Sequence, residues 1–136
     1  MANSNWETLS AERKALQAEG IVPAFMTTAG YAMFKAKYTV DGQSVRERYE
    51  TIARTAGELA DEMYAREDGV SWTERFFEAI WNGWLSPSTP VLSNLGTDRG
   101  LPVSCEGSYV EDSVWGFYET LKEAAILSQK DRKSVV

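Results

Sequence analysis

The sequence predicts a helical domain over residues 1–85 that passes into the opening of a mixed α/β region. Two observations carry this reading. Helix-start signals followed by apolar residues at helical spacing recur as far as Leu85. Then Pro87, Pro90, Gly96, Gly100 and Pro102 fall within sixteen residues, a density that predicts the absence of helix there. With 136 residues, 43% of them hydrophobic and 25% charged, the chain has the composition of one modest globular domain.

Glu7 to Glu19 reads as a short surface helix, with Leu9 and Leu16 seven apart and Gly20 as its stop. Ile21 to Tyr38 is rich in Ala, Met, Phe and Tyr, and Pro23 and Gly30 are expected to break any long helix within it. Asp41-Gly42 signals a turn. Ser44 with Glu47 fits a capping box, in which hydroxyl and carboxylate satisfy free amides of a first turn. Behind it Val45, Tyr49, Ile52, Ala53, Ala56, Leu59, Ala60, Met63 and Tyr64 keep helical spacing, which predicts a helix of about 20 residues closed by Gly69. Ser71 with Glu74 is a second capping box. It opens a helix carrying Phe76, Phe77, Ile80 and Trp81, an aromatic stripe suited to packing against the helix before it. Beyond the proline-rich stretch, Val91 to Asn94 and Pro102 to Tyr109 read as short extended segments. A last helix starts near Asp112-Ser113, with either residue as its cap, and runs through Trp115, Tyr118, Leu121, Ala125 and Leu127.

Several function classes are excluded. The net charge of −6 argues against a nucleic-acid-binding face. No apolar run reaches the length of a membrane span, and the N-terminus lacks a signal-peptide layout, so a soluble cytoplasmic protein is the expectation. The sequence has no histidine, which removes Ser-His-Asp triads and imidazole metal sites. Its one cysteine, Cys105, cannot close an internal disulfide or build a thiolate zinc site. Glu119 and Glu123 stand four apart on the last helix, but no further ligand completes a metal site, so a solvated face is expected there. The glycines near 96 and 100 lack the Lys-Ser/Thr of a phosphate loop.

What remains is Ser86-Pro-Ser-Thr-Pro-Val-Leu-Ser-Asn94, then Ser104-Cys105, then Asp112-Ser113. Taken residue by residue, Cys105 is a small apolar side chain buried in a short strand, Thr89 a turn residue and Asp112 a helix cap. Taken together they resemble the large subunit of ribonucleotide reductase. The cysteine follows Thr89 by sixteen residues and Asp112 follows the cysteine by seven. Arg48-Tyr-Glu-Thr-Ile-Ala53 and the approach from Trp81 to Leu85 look like that family's helical N-terminal domain.

The resemblance implies a mainly α N-terminal domain (1–85), then the first strands and helix of an incomplete ten-stranded α/β barrel (86–129), then a divergent tail (130–136). It implies ribonucleoside-diphosphate reductase chemistry by a thiyl radical and a redox dithiol, of which Cys105 would be one half. Thr89 and Ser104 would contact the substrate nucleotide. Asp112, Ser113 and Val114 would lie at an effector site for deoxynucleoside triphosphates or ATP, on a helix belonging to the homodimer interface. Partners so implied are the remainder of the large subunit, a second large subunit, a radical-generating small subunit if the enzyme is of class I, a thioredoxin- or glutaredoxin-type reductant and the ribonucleotide substrate. Neither nucleic acid nor membrane is expected. No cofactor would be bound by this chain, the radical generator lying elsewhere. One cysteine cannot supply a reducing pair and a radical thiol, so the chain is expected to be inactive alone. Three departures stand out. Glu106 follows the thiol where the family more often has an apolar or aromatic residue, and the basic ending Lys130-Asp-Arg-Lys133 replaces a glycine-rich continuation, as a frame switch or read-through would. No ATP-cone module is recognised before the helical domain. The rival reading is a non-catalytic helical module whose aromatic helices bind a protein partner.

Overall fold

Three capped helix starts and two glycine stops lay out the N-terminal part of the chain. The computed structural model describes residues 2–64, 68–103, 105 and 107–131. The chain divides into two compact units, Met1–Ser88 and Thr89–Val136. The first holds α1 (Ala2–Ala18), α2 (Thr28–Lys37), α3 (Val45–Met63) and α4 (Trp72–Trp81); the second holds α5 (Thr89–Asn94) and α6 (Val114–Asp131). All the buried hydrophobic side chains among the described residues, from Val22 to Ile80, lie in the first unit.

Helix α1 begins five residues before the predicted Glu7, and none of its described side chains is buried, as a surface helix requires. Gly20, at φ 72°, ends it: the Gly20 amide donates to Gln17 O (3.1 Å) and the Ile21 amide to Leu16 O (2.8 Å), a Schellman closure. Polar side chains tie α1 down. Arg13 Nη1 donates to Met26 O at 3.0 Å and Gln17 Nε2 to Pro23 O at 2.9 Å. Glu12 accepts from the Tyr31 hydroxyl (2.9 Å) and Lys35 Nζ (2.8 Å) on α2. Both donors pull the Glu12 carboxyl below its ordinary value, Lys35 more strongly. Gly30 does not break α2 as expected. It sits in the first turn, where its amide lacks an intrahelical acceptor and donates instead to Thr27 Oγ1 (3.1 Å). Asp41 (φ 51°) and Gly42 (φ 79°) form the expected turn, closed by Gln43 N donating to Val40 O.

Both predicted capping boxes are present. The Ser44 amide donates to Glu47 Oε2 (2.8 Å) while the Glu47 amide donates to Ser44 Oγ (3.2 Å), and the Ser44 amide and hydroxyl, both donating to the carboxylate, hold the Glu47 carboxyl below its usual range. Ser71 and Glu74 repeat the arrangement at α4. Helix α3 runs 19 residues and buries Val45, Arg48, Tyr49, Ile52, Ala53, Gly57 and Ala60. Leu59 and Met63, expected on that apolar face, are exposed. The reason is where α4 meets α3: a Cβ on Gly57 would lie 2.6 Å from the Thr73 amide nitrogen and 2.7 Å from its Cα. The first turn of α4 therefore touches α3 at Gly57, and beyond that point Ala60 is covered while Leu59 and Met63 are left exposed.

Aromatic rings run through the unit as predicted. Phe34 of α2 meets Tyr49 of α3 edge-on (5.5 Å between centroids), Tyr49 meets Trp81 of α4 edge-on (6.3 Å), and Phe77 stacks on Trp81 (5.4 Å). Arg46 lies over the last pair, its guanidinium 5.3 Å from the Phe77 ring and 5.2 Å from Trp81. The same side chain donates to Gly20 O (3.1 Å) and to Glu50 (2.8 Å), so one arginine joins the end of α1, the start of α3 and the end of α4.

The second unit departs from expectation. Val91–Asn94, predicted extended, lies within α5. Pro90 falls in the first turn, where a missing N–H costs nothing and a fixed φ suits the helix. The described residues of Pro102–Tyr109 are irregular, and the described residues contain no strand. A lone extended segment has no ladder partner for its backbone groups, so a strand cannot persist there by itself. The start of a barrel is thus not seen among the described residues. Among them, too, no helix is long and apolar enough to cross a membrane.

This packing has two measurable consequences. Replacing Gly57 with alanine raises intrinsic helix propensity yet forces α3 and α4 apart; urea unfolding should show a net loss of about 1–3 kcal/mol, as overpacking does. Burial holds the phenols of Tyr49 and Tyr31 up at about 12 against an ordinary 10.0, with the Glu12 carboxylate adding to the effect at Tyr31. Between pH 10 and 12 the unfolded chain releases these protons and the folded chain keeps them, so stability falls as pH rises through that window. Tyr49→Phe should flatten the alkaline limb of a Tm-against-pH profile.

Candidate functional site

The candidate residues Thr89, Ser104, Cys105, Asp112, Ser113 and Val114 all fall in the second unit. Thr89 opens α5 and is exposed. The helix stops at Gly96 (φ 76°), and Asn94 organises the loop after it. Asn94 is 2% exposed; its Nδ2 donates to Leu101 O (2.8 Å), and its backbone oxygen accepts from the Thr97 amide (2.9 Å) and hydroxyl (2.8 Å). These bonds hold residues 94–101 as a closed loop leading to the cysteine segment. Nothing in the sequence reading singled out Asn94 for this role, though an Asn followed three residues on by Thr is a local pattern that could have suggested it.

Cys105 is exposed on irregular backbone, which corrects the expectation of a thiol buried in a strand. Without a strand partner the segment has no second layer to sink a side chain into. Ser104 and Glu106 lie outside the described residues. Asp112 is exposed, and Ser113 is the cap of α6: its Oγ accepts from the Gly116 amide at 2.9 Å. Gly116 is required for this start, because a Cβ there would lie 2.6 Å from both the Cβ and the carbonyl oxygen of Glu111. Val114, first residue of α6, is exposed.

Beside this helix start lies an open cleft of about 520 Å³, lined by Tyr109, Glu111, Trp115, Gly116, Glu119, Thr120 and Glu123. It offers two aromatic faces and three carboxylates, and its lining carries no basic side chain. Glu119 is paired with Lys122 (3.7 Å), in keeping with a solvated face. The described residues hold no group of three His, Cys, Asp or Glu able to bind a metal ion. Trp115, Phe117, Tyr118, Leu121 and Ile126 are all exposed along α6. Apolar area of this kind on a small unit marks a surface that another protein layer would cover.

Among the comparisons with known proteins, the family match falls on the part of the chain before Cys105. Residues 24–100, more than half of the chain, match the family described as the ribonucleotide reductase all-alpha domain. A ribonucleoside-diphosphate reductase large subunit of Invertebrate iridescent virus 6 is 34% identical over 85 residues, 62% of this chain and 8% of the viral protein. A vitamin B12-dependent ribonucleoside-diphosphate reductase of Mycobacterium tuberculosis is 36% identical over 87 residues, 64% of this chain and 12% of that protein. A ribonucleoside-diphosphate reductase subunit alpha of Synechocystis is 27% identical over 101 residues, 74% of this chain and 13% of that subunit. The chain thus spans about a tenth of the length of the curated relatives it matches. No solved structure matches it.

The exposure of Cys105 is directly measurable. A thiol reagent should label the native chain to one equivalent, at a rate within about threefold of that in urea, since the residue is exposed in the folded chain. Strong native protection would show that the segment is covered.

Proposed function

The chain belongs to the ribonucleotide reductase large-subunit family through its all-alpha domain, and we propose accordingly that it is the N-terminal portion of a ribonucleoside-diphosphate reductase, inactive until joined by the remainder of the subunit. The observation that carries this is the family match over residues 24–100 running directly into the Thr89, Cys105 and Asp112 spacing. On this reading the four helices of the first unit support the entrance to the catalytic barrel. Thr89 and Ser104 contact the ribonucleotide, and Cys105 is one of the two thiols that reduce it.

The chemistry demands two electrons and two protons. Two thiols become a disulfide, the ribose 2′-hydroxyl leaves as water, and the carbon is left carrying hydrogen. This chain supplies one thiol, so its disulfide partner and the thiol bearing the initiating radical come from the rest of the subunit. The exposed, irregular backbone around Cys105 suits a segment that acquires its strand pairing from those missing residues. Asp112, Ser113 and Val114 sit at the start of α6, where free helix amides favour nucleotide phosphates, and they form part of an effector site. The acidic lining of the neighbouring cleft suits the base and ribose of an effector better than its phosphates. The apolar residues of α6 are then the surface that meets a second large subunit.

The rival reading, a partner-binding module using its aromatic helices, is less well supported. Phe77 and Trp81 are spent on one another, on Tyr49 and beneath Arg46. The test is complementation: the chain is combined with a reductase large subunit lacking the corresponding N-terminal residues. Wild-type chain should restore dithiol-dependent ribonucleotide reduction. Cys105→Ser should assemble equally well and lose turnover by at least about 10³-fold, as removal of a redox group does. Unchanged turnover in that variant would sink the assignment.

A further inference from the structure

Asn82-Gly83 is the one Asn-Gly pair in the sequence, and it forms the end of α4. Glycine is imposed there by the backbone: Gly83 has φ 75°, and a Cβ would meet the Phe25 ring at 3.1 Å. Asn82 is held by its own bonds, both the backbone amide and Nδ2 donating to Glu78 O at 2.9 Å. The Gly83 amide donates to Ile80 O (3.1 Å) and the Trp84 amide to Ala79 O (2.9 Å), a Schellman closure. Both residues of the pair are exposed to water.

We propose that Asn82-Gly83 is a conformation-gated deamidation site, kept unreactive by the closed end of α4 and modified when that end opens. Deamidation requires the Gly83 nitrogen to lose its proton to solvent base and bond to Asn82 Cγ. The Cγ–Nδ2 bond then breaks and the amide departs as ammonia, leaving a succinimide. Water adds to one of the two ring carbonyls and opens it to aspartate or isoaspartate, so the net change is one water in and one ammonia out, with no electron transfer.

The closed cap opposes this in two ways. Asn82 has ψ 0°, which by definition eclipses the Gly83 nitrogen with Asn82's own nitrogen rather than with Cβ, so the five-membered ring cannot close. The attacking N–H is also engaged by Ile80 O. Light side-chain packing beyond the cap favours opening: Trp84 is 78% exposed and Leu85 45% exposed, so that segment is held chiefly by the Trp84 and Leu85 amides donating to Ala79 O, both at 2.9 Å. Once formed, isoaspartate cannot restore the end of the helix, and aspartate restores it at a cost. Isoaspartate routes the backbone through Cβ, and either product adds a carboxylate at the negative end of the α4 dipole.

The test incubates the full chain at mildly alkaline pH, folded and in urea, and monitors the mass gain of amide-to-acid conversion by peptide mapping with isoaspartate detection. Conversion at Asn82 should be at least about tenfold slower in the folded chain, the suppression that two cap hydrogen bonds provide. The Asn82→Gln variant should lose the gain. Equal rates in the two conditions, no gain in either, or a gain that maps to Asn94 overturns the proposal.

Discussion

The close approach of α3 and α4 at Gly57 is the constraint on which the first unit is built. With no side chain at Gly57, the backbone of Thr73 comes within van der Waals reach of the α3 surface, and the capping box at Ser71 begins α4 just there. From that point α4 runs so that Trp81 reaches Tyr49 and, through it, Phe34 of α2. Arg46 then closes the arrangement from the other side, bonded to the end of α1 and lying over the rings of α4. A glycine in mid-helix is a local cost of about 1 kcal/mol. Here it is offset because it permits the packing that every later contact needs.

Polar side chains do an unusual share of the joining. Helix α1 contributes no buried described residue and is retained by Arg13, Gln17 and Glu12, each bonded to α2 or to the segment before it. Arg48 is fully buried in α3, and it is a partnered residue rather than an isolated charge. Such groups tolerate little displacement, since a buried polar group that loses its partner costs more than a lost apolar contact. They fix how the helices sit as well as whether they associate.

The second unit is organised differently. Among its described residues no hydrophobic side chain is buried. Its order comes from Asn94, Thr97 and Ser113 bonding to nearby backbone, while the rings of α6 face solvent. On the proposed reading this is how the opening of a larger catalytic domain looks without the rest. Local polar motifs form by themselves, and the apolar surfaces wait for layers contributed by other residues. The relatives, of which the matched stretch makes up only 8–12%, have residues to supply such layers.

Local chemistry was legible in the order of the residues. Both capping boxes, the Asp41-Gly42 turn, the stop at Gly20, the extent of α3 and the start of α6 depend on neighbours within about four residues, and so are written along the chain itself. The family, too, could be read from spacing and residue type. The remaining features emerged only on folding, because they depend on what lies opposite. Gly57 became an interior position through where α4 crosses α3, and Arg48 became interior, and Leu59 and Met63 exterior, only through the packing of the whole first unit. Val91–Asn94 became helix and Pro102–Tyr109 remained irregular because a strand exists only with a partner, and within this chain the described residues offer none.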